Sequence, residues 1–99
     1  MRILAIERPV DGVTDSQFTS DLLADEAARV YRLYQEGTIR ELYFRGDEPN
    51  AVLELECADL AEADRALASL PLVEAGLIQF EVIPLRPYPG FSRLFSEPD

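Results

Sequence analysis

The sequence predicts one small α+β domain of the ferredoxin-like type, with strands and helices in the order βαββαβ. Four segments rich in β-forming residues are interrupted by two segments with helical periodicity, and this order is typical of that fold. The 99 residues are too few for a second domain of ordinary size. We therefore expect an antiparallel sheet with two helices on one face, formed by residues 1–85, followed by a C-terminal arm at residues 86–99.

The first half of the chain predicts a strand and a long helix. Arg2–Arg8 is predicted to be a strand because its apolar run is short and Pro9 follows it. Thr14 and Gln17 have the spacing of a capping box, so we expect the first helix to begin there. Gly37 is expected to end it, since glycine tolerates the left-handed backbone that follows a helix.

A β-hairpin, a second helix and a last strand are predicted next. Ile39–Arg45 and Ala51–Cys57 alternate apolar and polar residues, so we expect a hairpin in which Arg45 pairs with Val52. The second helix is expected to begin after an acidic N-cap at Asp59 and to end at Pro71. Leu77–Leu85 is the last predicted strand.

Two apolar surfaces are left without a partner in this arrangement. The helix-free face of the sheet mixes Val52, Ile83 and Leu85 with carboxylates and Tyr43, which fits either a solvated face or the packing of two sheets. The arm is rich in proline yet also carries large apolar residues, which a disordered tail rarely does: Tyr88, Phe91, Leu94 and Phe95. We expect the arm to pack on a neighbouring subunit.

Composition excludes several functions. The net charge of −10 disfavours nucleic acid and anionic membranes as partners, because phosphate binding needs clustered positive charge. The chain contains no histidine and one cysteine, which argues against a zinc site and against a His-based catalytic pair. Cys57 is expected to be a packed thiol, and a lone cysteine with no secretion-type start favours the cytoplasm. No apolar run is long enough to span a membrane.

Glu26 breaks the pattern of the first helix. At about 100° per residue, it is the only charge within the apolar arc of that helix, which is formed by Leu22, Leu23, Ala27, Val30, Leu33 and Tyr34. A carboxylate in an apolar layer is costly unless it is paired or protonated, and burial would raise its pKa toward a value useful for proton transfer. Glu26 is therefore a functional carboxylate, the partner of an arginine such as Arg40 or Arg45, or a side chain that reaches solvent at the edge of the helix.

Short segments in both halves of the chain also resemble a known family. They are Leu23-Ala24-Asp25-Glu26, Glu36-Gly37-Thr38 with Arg40 and Leu42, Ser69-Leu70-Pro71-Leu72, and Phe80-Glu81-Val82 followed by Arg86 and Pro89. In order and spacing these segments resemble the helices, strands and C-terminal arm of the muconolactone isomerases. The chain departs from that family in having no histidine, and in having Glu7 where a basic or neutral residue is expected.

The resemblance implies a dimeric α+β barrel that assembles further, in that family into decamers, and a reaction without a cofactor. It implies an isomerase or cyclase that moves a proton on a small oxygenated ring, such as an unsaturated lactone from aromatic degradation. Glu26 would be the base, and Arg40 or Tyr43 would polarise the substrate oxygen. The expected substrate-binding residues are Tyr31, Phe44 and Phe80.

Two other functions remain open on this scaffold, since a fold does not determine an activity. One is a non-catalytic, oligomeric binding or accessory protein, which the missing histidines and the apolar arm favour. The other is a cofactor-free monooxygenase, against which the absence of tryptophan weighs slightly. An enclosed cavity that contains Glu26 and a tyrosine would count against the accessory protein.

Overall fold

A four-stranded antiparallel sheet carries the helices on one face. The computed structural model describes residues 1–95, and the last four residues of the predicted arm lie outside the described residues. The elements are β1 (Arg2–Pro9), α1 (Ser20–Gln35), β2 (Ile39–Phe44), β3 (Ala51–Glu56), α2 (Leu60–Ala68), α3 (Pro71–Glu74) and β4 (Ile78–Leu85). The strand order is β2-β3-β1-β4, and every neighbouring pair is antiparallel. This topology confirms the predicted ferredoxin-like α+β fold.

The start of the first helix differs from the prediction. The capping box of Thr14 and Gln17 is present, but it caps a single 3₁₀ turn. At Phe18 the backbone leaves the helical region, with φ −85° and ψ 76°, so the turn cannot continue. The helix begins after Thr19, whose hydroxyl accepts a hydrogen bond from the Leu22 N–H at 3.2 Å.

The predicted hairpin register is wrong by two residues. Tyr43, and not Arg45, lies opposite Val52. Arg45 belongs to the loop, where its guanidinium binds the Asp47 carboxylate at 2.8 Å. The backbone N–H of Arg45 donates to the Asn50 carbonyl oxygen at 2.9 Å. Because side chains alternate with a period of two, a shift of two residues leaves every side chain on its predicted face.

The core lies between the sheet and the helices. It consists of Ile3, Ala5, Leu33, Ile39, Leu53, Leu55, Cys57, Ala63, Leu67 and Leu70. The predicted packing of the Cys57 thiol is confirmed, since the residue is 4% exposed. Pro71 begins α3 instead of directly ending α2, and its ring suits the first position of a helix. Within residues 1–95, no helix has the length and apolarity that a membrane crossing requires.

Truncation of a core side chain should destabilise the domain strongly. Leu55 is 1% exposed on β3, so we expect Leu55→Ala to lower the free energy of unfolding by about 2–5 kcal/mol. Urea denaturation followed by circular dichroism measures this change. Leu60→Ala is the matched control, because Leu60 is 40% exposed, and it should cost about 0.5 kcal/mol. Equal costs for the two variants would contradict the position of the core.

The arm leaves the domain and does not pack back on it within the described residues. Residues 90–95 form a 3₁₀ helix, and the ring of Phe91 meets that of Tyr88 edge to face at 5.2 Å. Four large side chains of this segment are between 67% and 83% exposed: Tyr88, Phe91, Leu94 and Phe95. The chain is consequently long and narrow, with extents of 63 × 28 × 22 Å. Apolar residues with this much exposure are typical of an interaction surface.

Candidate functional site

A cavity of about 350 Å³ opens between α1 and the helix-bearing face of the sheet. Its wall is mostly apolar, with contributions from Leu23 and Val30 of α1, Leu53 of β3 and Phe80 of β4. Two carboxyl groups, those of Glu7 and Glu26, interrupt this wall. An apolar cavity with a few convergent polar groups is the usual form of a small-molecule site.

Glu26 enters the cavity from α1, where its neighbours in the apolar arc place it on the inner side of the helix. Its Oε1 accepts a hydrogen bond from the Leu72 N–H, in the first turn of α3, at 2.9 Å. Burial raises the pKa of Glu26, the hydrogen bond from Leu72 lowers it, and the negative charge of Glu7 raises it further. The net effect holds the pKa above the ordinary glutamate range.

The alternative interpretation of Glu26 as an arginine-paired residue is wrong for residues 1–95. Arg45 forms its ion pairs with Asp47 and Glu48, at 2.8 and 3.4 Å. The Nε of Arg40 donates instead to the Gly37 carbonyl oxygen at 2.7 Å. Glu26 is therefore a half-buried carboxyl without a cationic partner among the described residues, which is the arrangement that favours proton-transfer chemistry.

Glu7 is a site residue that the sequence marked only as a departure from the family pattern, without a role. It follows Ile3 and Ala5 on β1 at intervals of two, so it shares their helix-facing side of the sheet. Its Oε1 accepts a hydrogen bond from the Ala51 N–H at 3.1 Å. Burial raises the pKa of Glu7, against a smaller lowering by that bond. The strand alternation was the signal that could have located it.

The structure brings only some of the sequence-predicted residues together. Tyr43, Phe44 and Phe80 line the cavity with Glu26, whereas Arg40 and Tyr31 do not. The Tyr43 hydroxyl donates to a Glu41 carboxylate oxygen at 2.6 Å, and this bond raises the pKa of the phenol. Phe44 is 75% exposed at the cavity's edge, while Phe80 is half-buried within it.

No metal chemistry is suggested by the arrangement of side chains. Within residues 1–95, no group of three or more histidine, cysteine, aspartate or glutamate residues is close enough to hold a metal ion. What the cavity offers is two carboxyls in an apolar environment, whose pKa values burial raises above the ordinary glutamate value, and such groups can accept and donate protons.

The two cavity carboxyls should make stability depend on pH in a defined direction. Because burial raises both pKa values, the folded chain binds more protons than the unfolded chain above the ordinary glutamate range. Their stabilising contribution is complete below the unfolded pKa and is lost as pH rises through the folded pKa. We expect urea unfolding of the Glu7→Gln/Glu26→Gln double variant to show a smaller loss of stability than wild type as pH rises above the ordinary glutamate pKa of 4.5. Identical pH dependences would contradict this.

Two solved structures are similar to this chain over most of its length. A crystal structure of muconolactone isomerase superposes with a TM-score of 0.71 and 25% sequence identity, covering 90% of this chain and 92% of that chain. A 5-chloro-2-hydroxyhydroquinone dehydrochlorinase from Burkholderia phenoliruptrix AC1100, in complex with 2,5-dihydroxybenzoquinone, superposes with a TM-score of 0.65 and 19% identity, covering 87% and 94%. The second likeness shows the fold alone.

Of the two sequence comparisons, one finds no match and the other matches a family model. A search of curated protein sequences finds no match. The family model described as muconolactone delta-isomerase matches residues 4–90, which takes in all four strands and the helices between them. On that match, the chain belongs to the muconolactone delta-isomerase family.

Proposed function

We propose that the chain is a cofactor-free isomerase that moves a proton on a small oxygenated ring, such as an unsaturated lactone. Its family supports an isomerase-like or related activity. The observation that carries the proposal is the Glu26 carboxyl, which lies in an apolar cavity without a cationic partner in residues 1–95. A base for a carbon acid works best when its pKa lies close to the working pH, and burial moves Glu26 in that direction.

Glu26 would remove a proton from a ring carbon that is acidified by a conjugated carbonyl group, and would return it elsewhere on the ring. The N–H of Leu72 holds one carboxylate oxygen and so fixes the orientation of the base. Phe80 and Leu53 supply an apolar wall against which a flat ring can pack. Arg40 lies outside the wall and the Tyr43 hydroxyl is bonded to Glu41, so the proposal depends on Glu26 and on neither of these donors.

The same cavity counts against a non-catalytic accessory protein. That function would be favoured by a solid core beneath α1, whereas the structure has about 350 Å³ of partly open space there, which contains the Glu26 carboxyl. The test is turnover by the purified chain of unsaturated lactones, muconolactone among them, followed by proton NMR. Isomerisation of at least one lactone supports the proposal, and no change in any of them contradicts it.

We also propose that the chain self-associates through the helix-free face of the sheet and that the arm packs on a neighbouring copy. The centre of that face is apolar and only half covered, with Leu4, Ile6, Val52 and Ile83. These residues lie on adjacent strands, since Leu4 pairs with Ile83 and Ile6 with Val52. Charges surround them as ion pairs, Arg2 with Glu54 at 3.2 Å and Arg8 with Glu81 at 3.0 Å. An apolar centre with a polar rim is the usual anatomy of a protein–protein interface.

A further inference from the structure

Two carboxyl groups from different elements share one apolar cavity, Glu7 from β1 and Glu26 from α1. Each is anchored through Oε1 by a backbone N–H, that of Ala51 at 3.1 Å and that of Leu72 at 2.9 Å. The second oxygen of each carboxyl makes no hydrogen bond or ion pair within residues 1–95. Both carboxyls thus have a fixed orientation and one oxygen available to a bound molecule.

The other ionisable groups near the cavity do not neutralise this pair. Tyr43 of β2 is the one further titratable residue in the wall, and its hydroxyl is bonded to Glu41. The Nε of Arg29, on α1, donates to the Ser69 hydroxyl at 2.9 Å. Arg45, after β2, forms its ion pairs within its own loop.

The strands that flank β1 add no cation to the cavity either. Their charged residues Glu54 of β3 and Glu81 of β4 lie on the opposite face of the sheet, where they pair with Arg2 and Arg8. The side chains that β3, β4 and α3 place in the wall are apolar. Two carboxyls that line one cavity disfavour each other's ionisation, and the charge of Glu7 raises the pKa of Glu26. When the pair holds a single proton, that proton can reside on either carboxyl.

We propose that Glu7 is a second catalytic residue, whose protonated carboxyl donates a hydrogen bond to the substrate carbonyl oxygen while Glu26 removes a ring proton. This inference rests on the proposed function and adds the donor that the reaction requires. Proton abstraction beside a carbonyl develops negative charge on the oxygen, and a donor positioned there stabilises the transition state more than the ground state. Neither Arg40 nor Tyr43 is placed to supply that donor.

The proton balance can be written for 5-methyl-2(5H)-furanone, an uncharged unsaturated lactone. The Glu26 carboxylate takes the proton from C5, and the bonding electrons shift through the ring to leave a furanolate with its charge on the former carbonyl oxygen. Glu7 keeps its proton and donates to that oxygen. The Glu26 carboxyl then returns the proton to C3 and the carbonyl re-forms, which gives the isomeric 2(3H)-furanone with no oxidant or reductant.

The same pair determines the class of substrate. A pair that shares one proton carries a negative charge, and no arginine lines the cavity among residues 1–95. A ring that bears its own carboxylate is therefore repelled, and an uncharged lactone or similar ring is accepted. Muconolactone carries a carboxymethyl group where 5-methyl-2(5H)-furanone carries a methyl group, so the two compounds form a matched pair. We expect kcat/KM to be at least about tenfold higher for the methyl lactone.

The experiment is the pH profile of kcat/KM for the methyl lactone in wild type and in four variants, Glu7→Gln, Glu7→Asp, Glu26→Gln and Glu74→Gln. In wild type, kcat/KM should show a bell-shaped dependence on pH, because activity requires one carboxyl to be ionised and the other to be protonated. Glu7→Gln should lower the maximum by about tenfold and abolish the alkaline limb, since an amide donates a hydrogen bond but does not ionise. Glu7→Asp retains an acid and should keep the alkaline limb. Glu74→Gln, an exposed carboxyl outside the cavity, is the matched control and should keep the wild-type profile.

Each outcome has a distinct meaning. An alkaline limb that survives in Glu7→Gln overturns the role of Glu7, while turnover that is still lost in Glu26→Gln leaves the proposed function in place. A higher kcat/KM for muconolactone than for the methyl lactone overturns the substrate class. No turnover of any lactone by wild type contradicts the proposed function itself. Circular dichroism of Glu7→Gln separates a change in chemistry from a failure to fold, and Glu7→Asp provides the second variant.

Discussion

Glu26→Gln should lower kcat/KM for lactone isomerisation by about 10³-fold, because it replaces the proposed base with an amide that cannot take a proton. The amide is isosteric with the carboxyl, and its oxygen can still accept the hydrogen bond from the Leu72 N–H. The cavity and its apolar wall are therefore retained. We expect KM to change little compared with kcat, since the lost interaction belongs to the transition state. Steady-state kinetics with an uncharged unsaturated lactone measure both quantities.

The matched control for this prediction is the adjacent residue on the same helix. Asp25→Asn also removes one carboxylate from α1, but Asp25 is exposed and lies outside the cavity wall. Its kcat/KM should remain within about twofold of wild type, as is usual for a surface substitution remote from the chemistry. Glu26→Gln with more than a tenth of wild-type activity would contradict the assignment of Glu26 as the base.

Ile83→Glu should convert the assembled protein into monomers. Ile83 lies on the helix-free face opposite Leu4, and a carboxylate there would be buried among apolar residues and near Glu54 if two sheets packed together. In the monomer the position is only half covered, so the fold itself should tolerate the change. Light scattering should give at least twice the 11.1 kDa chain mass for wild type and one chain mass for the variant.

A control for the added charge is available on the opposite side of the molecule. Ala61 is exposed on α2, so Ala61→Glu adds the same charge away from the proposed interface. It should leave the mass of the assembly unchanged. A wild-type chain that is already monomeric, or an Ile83→Glu variant that keeps its full mass, would contradict packing through this face. A chain that ends at Leu85 tests the arm separately. Its assembly should contain fewer chains than the wild-type assembly if the arm also binds a neighbour.

The fold was largely predictable because its signals are local. Strand alternation assigned Leu53 and Leu55 to the helix-bearing face, where both are buried. Gly37 follows the end of α1 with φ 85°, the left-handed conformation expected of a glycine at that position. The hairpin register was not predictable from alternation alone. It depends on the length of the loop, which the backbone N–H of Arg45 closes by donating to the Asn50 carbonyl oxygen. The predicted start of α1 was wrong because a capping box can cap a 3₁₀ turn as well as an α-helix.

The site was less predictable than the fold, because a cavity is formed by several elements at once. Glu26 could be found from one helix, since it is a charge inside an apolar arc. Glu7 could not be found in that way, because a charged residue close to the end of a strand is ordinary in sequence. Its environment is formed by other elements, since the Ala51 N–H of β3 donates to it and residues of α1 line the same cavity. Arg40 lies where the pairing of β2 with β3 is irregular, between Ile39 and Glu41, and this placement depends on the partner strand.

The central claim is that this chain moves a proton on a small oxygenated ring by means of the cavity carboxyl Glu26. The most direct measurement is proton NMR of 5-methyl-2(5H)-furanone in D₂O, which follows replacement of the ring hydrogens at C3 and C5 by deuterium. Wild type should exchange these hydrogens well above the uncatalysed rate, and Glu26→Gln at the same concentration should not. Exchange that is absent from wild type, or equally fast in the two proteins, would contradict the claim.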